Sequence, residues 1–295
     1  MVEHPSSQTV SPALPITRPV DVSHLWPKGW RQRTAVMGVI NITPDSFSDG
    51  GRFTEVEAAV REAKRQLQQG ADVLDLGAQS TRPGAKEVGA EEECRRLLPV
   101  LGAIRQHRPE VLISVDTFLA PVAEAALEAG ASWINDVSGG RRDPDLLRVV
   151  ADAACPVVLM HSRGTSQTMD DLTVYDDLIQ DVKAGLWERT NAAISAGVKE
   201  AQIIWDPGLG FAKTHEQNLS LLRDLEQLTS EAMPLLVGPS RKRFIGAVLD
   251  EPRPKARLWG TAAVACRCAQ AGAALVRVHD VGPIAQTLRM ASVLW

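Results

Sequence analysis

Short runs of Val, Ile and Leu recur along the chain, each followed by a turn and then by a longer amphipathic or Ala-rich stretch with a period near 3.6 residues. That alternation predicts βα units, with strands at 35–41, 73–78, 111–116, 133–137, 156–161, 202–206, 235–239 and 274–279 and a helix after each. Eight such units are the content of a closed (β/α)8 TIM barrel, a fold that takes about 250 residues. The strands alternate little between apolar and polar positions, as expected where helices cover one face and a packed interior the other. Gly70, Gly130, Gly197 and Gly272 each close a helical run ahead of a strand, the place of a left-handed cap. An open doubly wound sheet would alternate in the same way. The first strand, however, lacks the G-x-G-x-x-G turn of a dinucleotide site.

Residues 1–30 are rich in Pro, Ser and Thr and have no apolar period, so they are expected to form an extension that contributes nothing to the fold. The remainder, 31–295, reads as one catalytic barrel domain. With 44% hydrophobic and 23% charged residues the chain has enough apolar material for a sizeable core. Its 32 basic and 36 acidic residues leave a net charge of −4, without a like-charge block to serve as a nucleic-acid or membrane footprint, which favours a small-molecule partner. Cys94, Cys155, Cys266 and Cys268 fit neither a zinc spacing nor a disulfide framework and suit a reducing cytoplasm. No apolar stretch approaches the roughly 18 residues of a membrane helix.

In a barrel of this kind the chemistry sits at the carboxyl ends of the strands. Those ends carry Asn41, Asp75, Asp116 with Thr117, Asn135 with Asp136, His161, Asp206, Ser240 with Arg241 and Lys242, and Arg277 with His279. Any one of these could simply cap a helix; so many at one mouth point to a site. Asp116, Asn135 and Asp206 offer the in-plane acceptors and amide that suit the N–H and C=O edge of a flat nitrogen heterocycle. Lys242, Arg277 and His279 add positive charge suited to phosphate oxygens or ring carbonyls. A phosphorylated heterocycle satisfies both halves. Two long turn-rich loops, 41–51 and 80–90, rise from the same face as candidate lids. The segment DPGLGFAKT at 206–214 imitates a P-loop, but Ala212 stands where the glycine before the lysine is required, so it reads as a tight strand-to-helix turn. Of the histidines only His161 and His279 are placed for chemistry, and His161 is expected to pack.

In order along the chain, MGVINITPDSFSDGG at 37–51, DLGAQSTRPGA at 75–85, SVDT at 114–117, INDVSGG at 134–140, DPGLGF at 206–211, GPSRKRFIG at 238–246 and RVHDV at 277–281 closely resemble the dihydropteroate synthases. The resemblance spans about residues 35–295. It implies a pterin-binding barrel that condenses 4-aminobenzoate with a dihydropterin diphosphate, with Mg2+ as cofactor. By that resemblance Asp116, Asn135, Asp206 and Lys242 hold the pterin ring, with Thr81 as a further contact. Arg277, Val278 and His279 line the substrate, and Asn41 carries the diphosphate's metal. Phe47, Pro83, Phe211 and the stem of Lys242 wall the aminobenzoate, and closure brings in Asp49 and Arg82. Lys242, Asp206, Asp116, Asp49 and Arg82 are the residues it implies for catalysis. The family's members are sulfonamide targets and commonly homodimers, and the helices around 257–271 and 282–294 are the interface expected here. The chain departs from the family at Ala78, Gln79 and Arg243, and Arg243 stands beside the aminobenzoate carboxylate in this reading. The rival readings are a pterin-dependent methyltransferase, which has no need of a diphosphate cradle, and a non-catalytic pterin-binding homologue.

Overall fold

The computed structural model of the chain describes residues 21–42, 51–79 and 87–294. Eight parallel strands run β1 (Ala35–Asn41), β2 (Val73–Gly77), β3 (Leu112–Asp116), β4 (Trp133–Asp136), β5 (Val157–Met160), β6 (Ile203–Asp206), β7 (Leu236–Val237) and β8 (Leu275–Val278). Between and after them lie α1 (Gly51–Gln69), α2 (Ala90–His107), α3 (Ala120–Glu128), α4 (Asp145–Ala153), α5 (Leu178–Ser195) and α6 (His215–Arg223). The short α7 (Glu226–Thr229), then α8 (Arg243–Leu249), α9 (Leu258–Gln270) and α10 (Val281–Ala291), complete the chain. Hydrogen-bonded neighbours follow the order β6-β5-β4-β3-β2-β1-β8-β7. The ring closes where Trp205 bridges to Leu235 in parallel and its N–H donates to the Pro234 carbonyl at 2.9 Å. This is the (β/α)8 barrel that the sequence pattern predicts.

The eight expected strands are all present, and the largest difference is β7, expected over 235–239 and reduced to Leu236–Val237. Pro234 and Pro239 flank it, and neither has an N–H to give to a ladder. Gly70, Gly130, Gly197 and Gly272 have φ of 103°, 97°, 105° and 85°, the left-handed caps expected of them.

A strand side chain and the one two places along it share a face. Inside the barrel, the lower positions are apolar and pack as one buried cluster: Met37, Val73, Trp133, Val158, Ile204, Leu236 and Leu275. The opposite strand faces, with Leu74, Val115, Ile134, Trp205 and Val276 among them, pack with the helices in a second and larger cluster.

The expectation that residues 1–30 lie outside the fold is corrected for the last part of that stretch. Val22 and Trp26 are buried within the lower barrel cluster, and Trp30 packs against it. Trp26 stacks on Trp30 at 4.1 Å between centroids and tilts against Trp133 at 5.2 Å, while Trp133 Nε1 donates to the Leu25 carbonyl at 2.5 Å. The segment therefore stoppers the amino-terminal end of the barrel. A plug needs only a few large apolar groups, and these need not be periodic, so periodicity could not find it.

Candidate active site

Two residues above the apolar cluster, the same inward-facing positions turn polar. Val73 is followed at that spacing by Asp75, Trp133 by Asn135, Ile204 by Asp206 and Leu275 by Arg277. Register brings Asp116 beside Asn135 and Gly77 beside Asp116. Asn41 pairs with Gly77 in turn, and a Cβ placed on Gly77 would lie 3.6 Å from the Asp116 Cβ and 3.9 Å from Asn41 Oδ1. One strand geometry thus sets both the plug and the floor of the mouth.

The centre of the mouth is a buried ion cluster. Arg277 Nε donates to Asp75 Oδ2 at 2.6 Å and its Nη2 to Asp116 Oδ2 at 2.6 Å, while Asn135 Nδ2 lies 3.4 Å from Asp75 Oδ2. Burial works against the guanidinium charge, but Asp75 and Asp116 outweigh it and raise its pKa. Burial pushes Asp116 up to about 7; Arg277 opposes the shift, and the acidic neighbours Asp75, Glu93 and Asp136 add to it. Asp206 Oδ1 accepts the Gly208 N–H at 2.7 Å, and burial raises its pKa against the pull of that bond and of Lys242, Arg277 and Lys213. Two desolvated carboxyls at the strand ends are suited to ring N–H groups, which supply the donors that water no longer does.

Lys242 reaches this cluster from the turn after β7. Arg241 ahead of it sits in the left-handed region at φ 60°, a conformation costing a non-glycine residue roughly 1 kcal/mol. It is held there by a bidentate pair with Asp280 at 2.6 and 2.9 Å, and Arg257 Nη1 donates to its carbonyl at 3.0 Å. Lys242 Nζ stands 4.4 Å from the Phe211 ring centroid, and burial pushes its pKa down to about 8 against the pull of Asp206. His279 Nδ1 lies 2.9 Å from Ser240 Oγ, which also accepts the His279 amide at 3.1 Å, so the ring's orientation is set by the β7 turn.

A model of the family described as pterin binding enzymes matches residues 37–279. The dihydropteroate synthase of a Synechocystis strain is 50% identical over 266 residues, which are 90% of this chain and 92% of that one. The chain belongs to the dihydropteroate synthase family. Among solved structures, the Xanthomonas albilineans dihydropteroate synthase with 4-aminobenzoic acid is 44% identical with a TM-score of 0.83, over 89% of this chain and 93% of that one. The Clostridium difficile dihydropteroate synthase crystallised in the presence of pteroic acid is 41% identical with a TM-score of 0.85, over 90% and 98%.

Of the residues that the resemblance to dihydropteroate synthases singles out, Asn41, Asp116, Asn135, Asp206, Phe211, Lys242, Arg277 and His279 are at the carboxyl ends of the strands or in the turns that follow them. Phe47, Asp49, Thr81, Arg82 and Pro83 lie outside the described residues. The Val278 side chain is fully buried in the helix-facing core, one position out of phase with Arg277, so a substrate contact there would be through its main chain. Arg243 pairs with Asp170 at 2.7 Å, and both side chains are half exposed. Asp136 turns away to accept the Ser138 and Gly140 amides at 2.7 and 2.5 Å. His161 is buried, as expected.

Two residues of the site were given no role in the reading from sequence. Asp75 was visible as a polar strand end, but nothing in its spacing shows that it takes one edge of Arg277. Lys213 reads as part of a turn and is in fact buried behind Asp206. Its signal was a charged residue inside an otherwise small and apolar segment, GLGFA, that closes onto the barrel. Among the described residues no group of three or more His, Cys, Asp or Glu could hold a metal ion.

Proposed function

We propose that this chain condenses 4-aminobenzoate with 6-hydroxymethyl-7,8-dihydropterin diphosphate, yielding 7,8-dihydropteroate and pyrophosphate as a step of folate biosynthesis. The observation that carries the reading is the convergence of Asp116, Asn135, Asp206, Lys242 and Arg277 on one buried mouth in a chain of this family. The two carboxyls and the amide would take the ring's N–H and C=O edge, and Lys242 would donate to a ring acceptor while its stem and Phe211 wall the second substrate. The aminobenzoate nitrogen then attacks the pterin methylene carbon. The carbon–oxygen bond to the diphosphate breaks with its electron pair leaving on pyrophosphate, and the amine gives up a proton. No bond to the enzyme forms. Catalysis in this scheme is placement of a weak nucleophile and stabilisation of a departing anion by Arg277 and His279. Phe47, Pro83, Asp49, Arg82 and Thr81 complete the substrate sites in this reading.

Mg2+ favours oxygen ligands and keeps several waters, bound by one or two protein groups together with substrate phosphates. The Asn41 amide oxygen at the rim suits that role. Bound there, Mg2+ would neutralise charge on the leaving group. The proposed assembly is a homodimer through α8, α9 and α10. This face exposes Val248 at 62%, Trp259 at 77% and Met290 at 57%, with Val293 and Leu294 beyond α10. A cytoplasmic site suits the four unpaired cysteines, and no described helix is long and apolar enough to cross a membrane.

The test is a coupled assay of pyrophosphate release. Release that needs both substrates supports the reading. Release from the pterin diphosphate alone marks a hydrolase, and pterin binding without release marks a non-catalytic homologue; either overturns it.

A further inference from the structure

Lys213 ends the 206–213 turn and immediately precedes Thr214, whose side chain accepts the Gln217 amide and fixes the start of α6. Its side chain runs inward and is only 8% exposed. The ammonium has three hydrogens and finds three acceptors, each at 3.1 Å: His161 Nδ1, the Gly208 carbonyl and the Phe211 carbonyl. Among the described residues no carboxylate bonds it, which is unusual for a buried lysine. Burial pushes its pKa down to about 7, against the pull of Asp206, whose carboxylate is joined to the same glycine, Gly208.

That glycine is the hinge of the arrangement. Its N–H donates to Asp206 Oδ1 at 2.7 Å, and its carbonyl accepts both Lys213 Nζ and the Phe211 amide, the last at 3.1 Å. Its φ is +69°, and a Cβ there would fall 2.0 Å from the His161 carbonyl, so the turn is pressed against β5 with no room to slide. His161 is bound into the same unit twice: its amide donates to the Asp206 carbonyl at 2.9 Å, and its ring takes the ammonium. For Nδ1 to accept, the ring must be neutral with its proton on Nε2. Burial, and after it the charge of Lys213, hold the His161 pKa well below its ordinary value, in keeping with that role.

We propose that Lys213 is a positioning residue of the pterin site: held by the neutral His161 ring, it pins the 206–211 turn so that Asp206 and Phe211 face the mouth in fixed relation to Lys242. It touches no substrate. Asp206 is the carboxyl assigned to the pterin edge, and Phe211 is the ring beneath the Lys242 ammonium, so one buried cation serves both halves of the mouth. The inference rests on the pterin reading above and adds a residue to it.

The experiment is calorimetric titration of pteroic acid, which spans both subsites, into the full-length chain and three variants. Lys213→Met should weaken binding about tenfold or more, the size expected when a charge-assisted hydrogen-bond set is lost. Because an unpaired pair of carbonyls could also prevent folding, the His161 pair provides the second arm. His161→Leu removes the acceptor and should weaken binding to a similar degree. His161→Asn returns an oxygen near the place of Nδ1 and should bind within about threefold of wild type, a rescue that a merely space-filling ring would not give. Wild-type affinity in folded Lys213→Met or in His161→Leu overturns the proposal, as does His161→Asn binding no better than His161→Leu. A wild-type chain that does not bind pteroic acid overturns the pterin reading beneath it, and that control separates the two failures.

Discussion

Asp116 illustrates how a residue proposed for binding can be a liability to the fold that carries it. Burial lifts its pKa from 3.8 to about 7, so the folded chain holds its proton where the unfolded chain has lost it. The stability linked to that proton is fully present below about pH 4 and is lost as pH rises towards 7. Glu93, also raised to about 7 by burial, adds to the same decline. Asp116→Asn should therefore be more stable than wild type at pH 8, by about 1–2 kcal/mol, while losing pteroic acid affinity. Chemical denaturation at pH 4 and pH 8 checks this, with the gap expected to vanish at the lower pH. Asp75→Asn tests the ion cluster from the other side. Without the Asp75 charge Arg277 serves Asp116 alone, so the Asp116 carboxyl should titrate at lower pH than in wild type. Carbon-13 chemical shifts of that carboxyl against pH measure the change, and an unmoved midpoint would mean that Asp75 has no electrostatic hold on the site.

Among elements, the strands and their caps were the most legible part of the chain. Val- and Ile-rich runs ended by helix-closing glycines are decided by local chemistry, and local chemistry is what a sequence displays. The mouth residues on β3, β4, β6 and β8 were legible for a related reason, since a polar group ending an apolar strand stands out. Who bonds whom was not legible: Arg277 meets Asp75 across 202 positions of chain and Asp116 across 161, and no local pattern encodes such a pairing. The segment from Val22 to Trp30 was hidden by its composition, because its few large apolar side chains act as a plug instead of a periodic face. Trp26→Ala should accordingly cost about 2–3 kcal/mol and lower the thermal midpoint by about 5 °C with catalytic constants little changed, since it acts at the far end from the mouth. Differential scanning calorimetry with a parallel activity assay would show whether the loss is confined to stability.

For the whole molecule, the division between the two barrel ends leaves the helical flank free for assembly. Trp259 projects from the first turn of α9 with 77% of its surface exposed, among the apolar groups of α8 and α10. If this face joins two copies, Trp259→Glu should convert dimers to monomers and weaken association at least about a hundredfold, as for a buried aromatic anchor. Sedimentation velocity over a concentration series measures it, and an unchanged sedimentation coefficient would place the interface elsewhere.

The stopper of Trp26, Trp30 and Trp133 also has a bearing on traffic. A barrel sealed at its base is a blind well, and whatever enters by the upper rim must leave by it. Asp116, Asn135 and Asp206, the groups proposed for the pterin, lie at the strand ends, whereas Phe211 and Lys242 stand on the turns above them. In the proposed reading the pterin therefore has to occupy the bottom first, and the aminobenzoate then shuts it in. Loading in the opposite order would strand the enzyme with a covered and vacant floor, so a high concentration of 4-aminobenzoate should slow turnover by queueing ahead of the pterin.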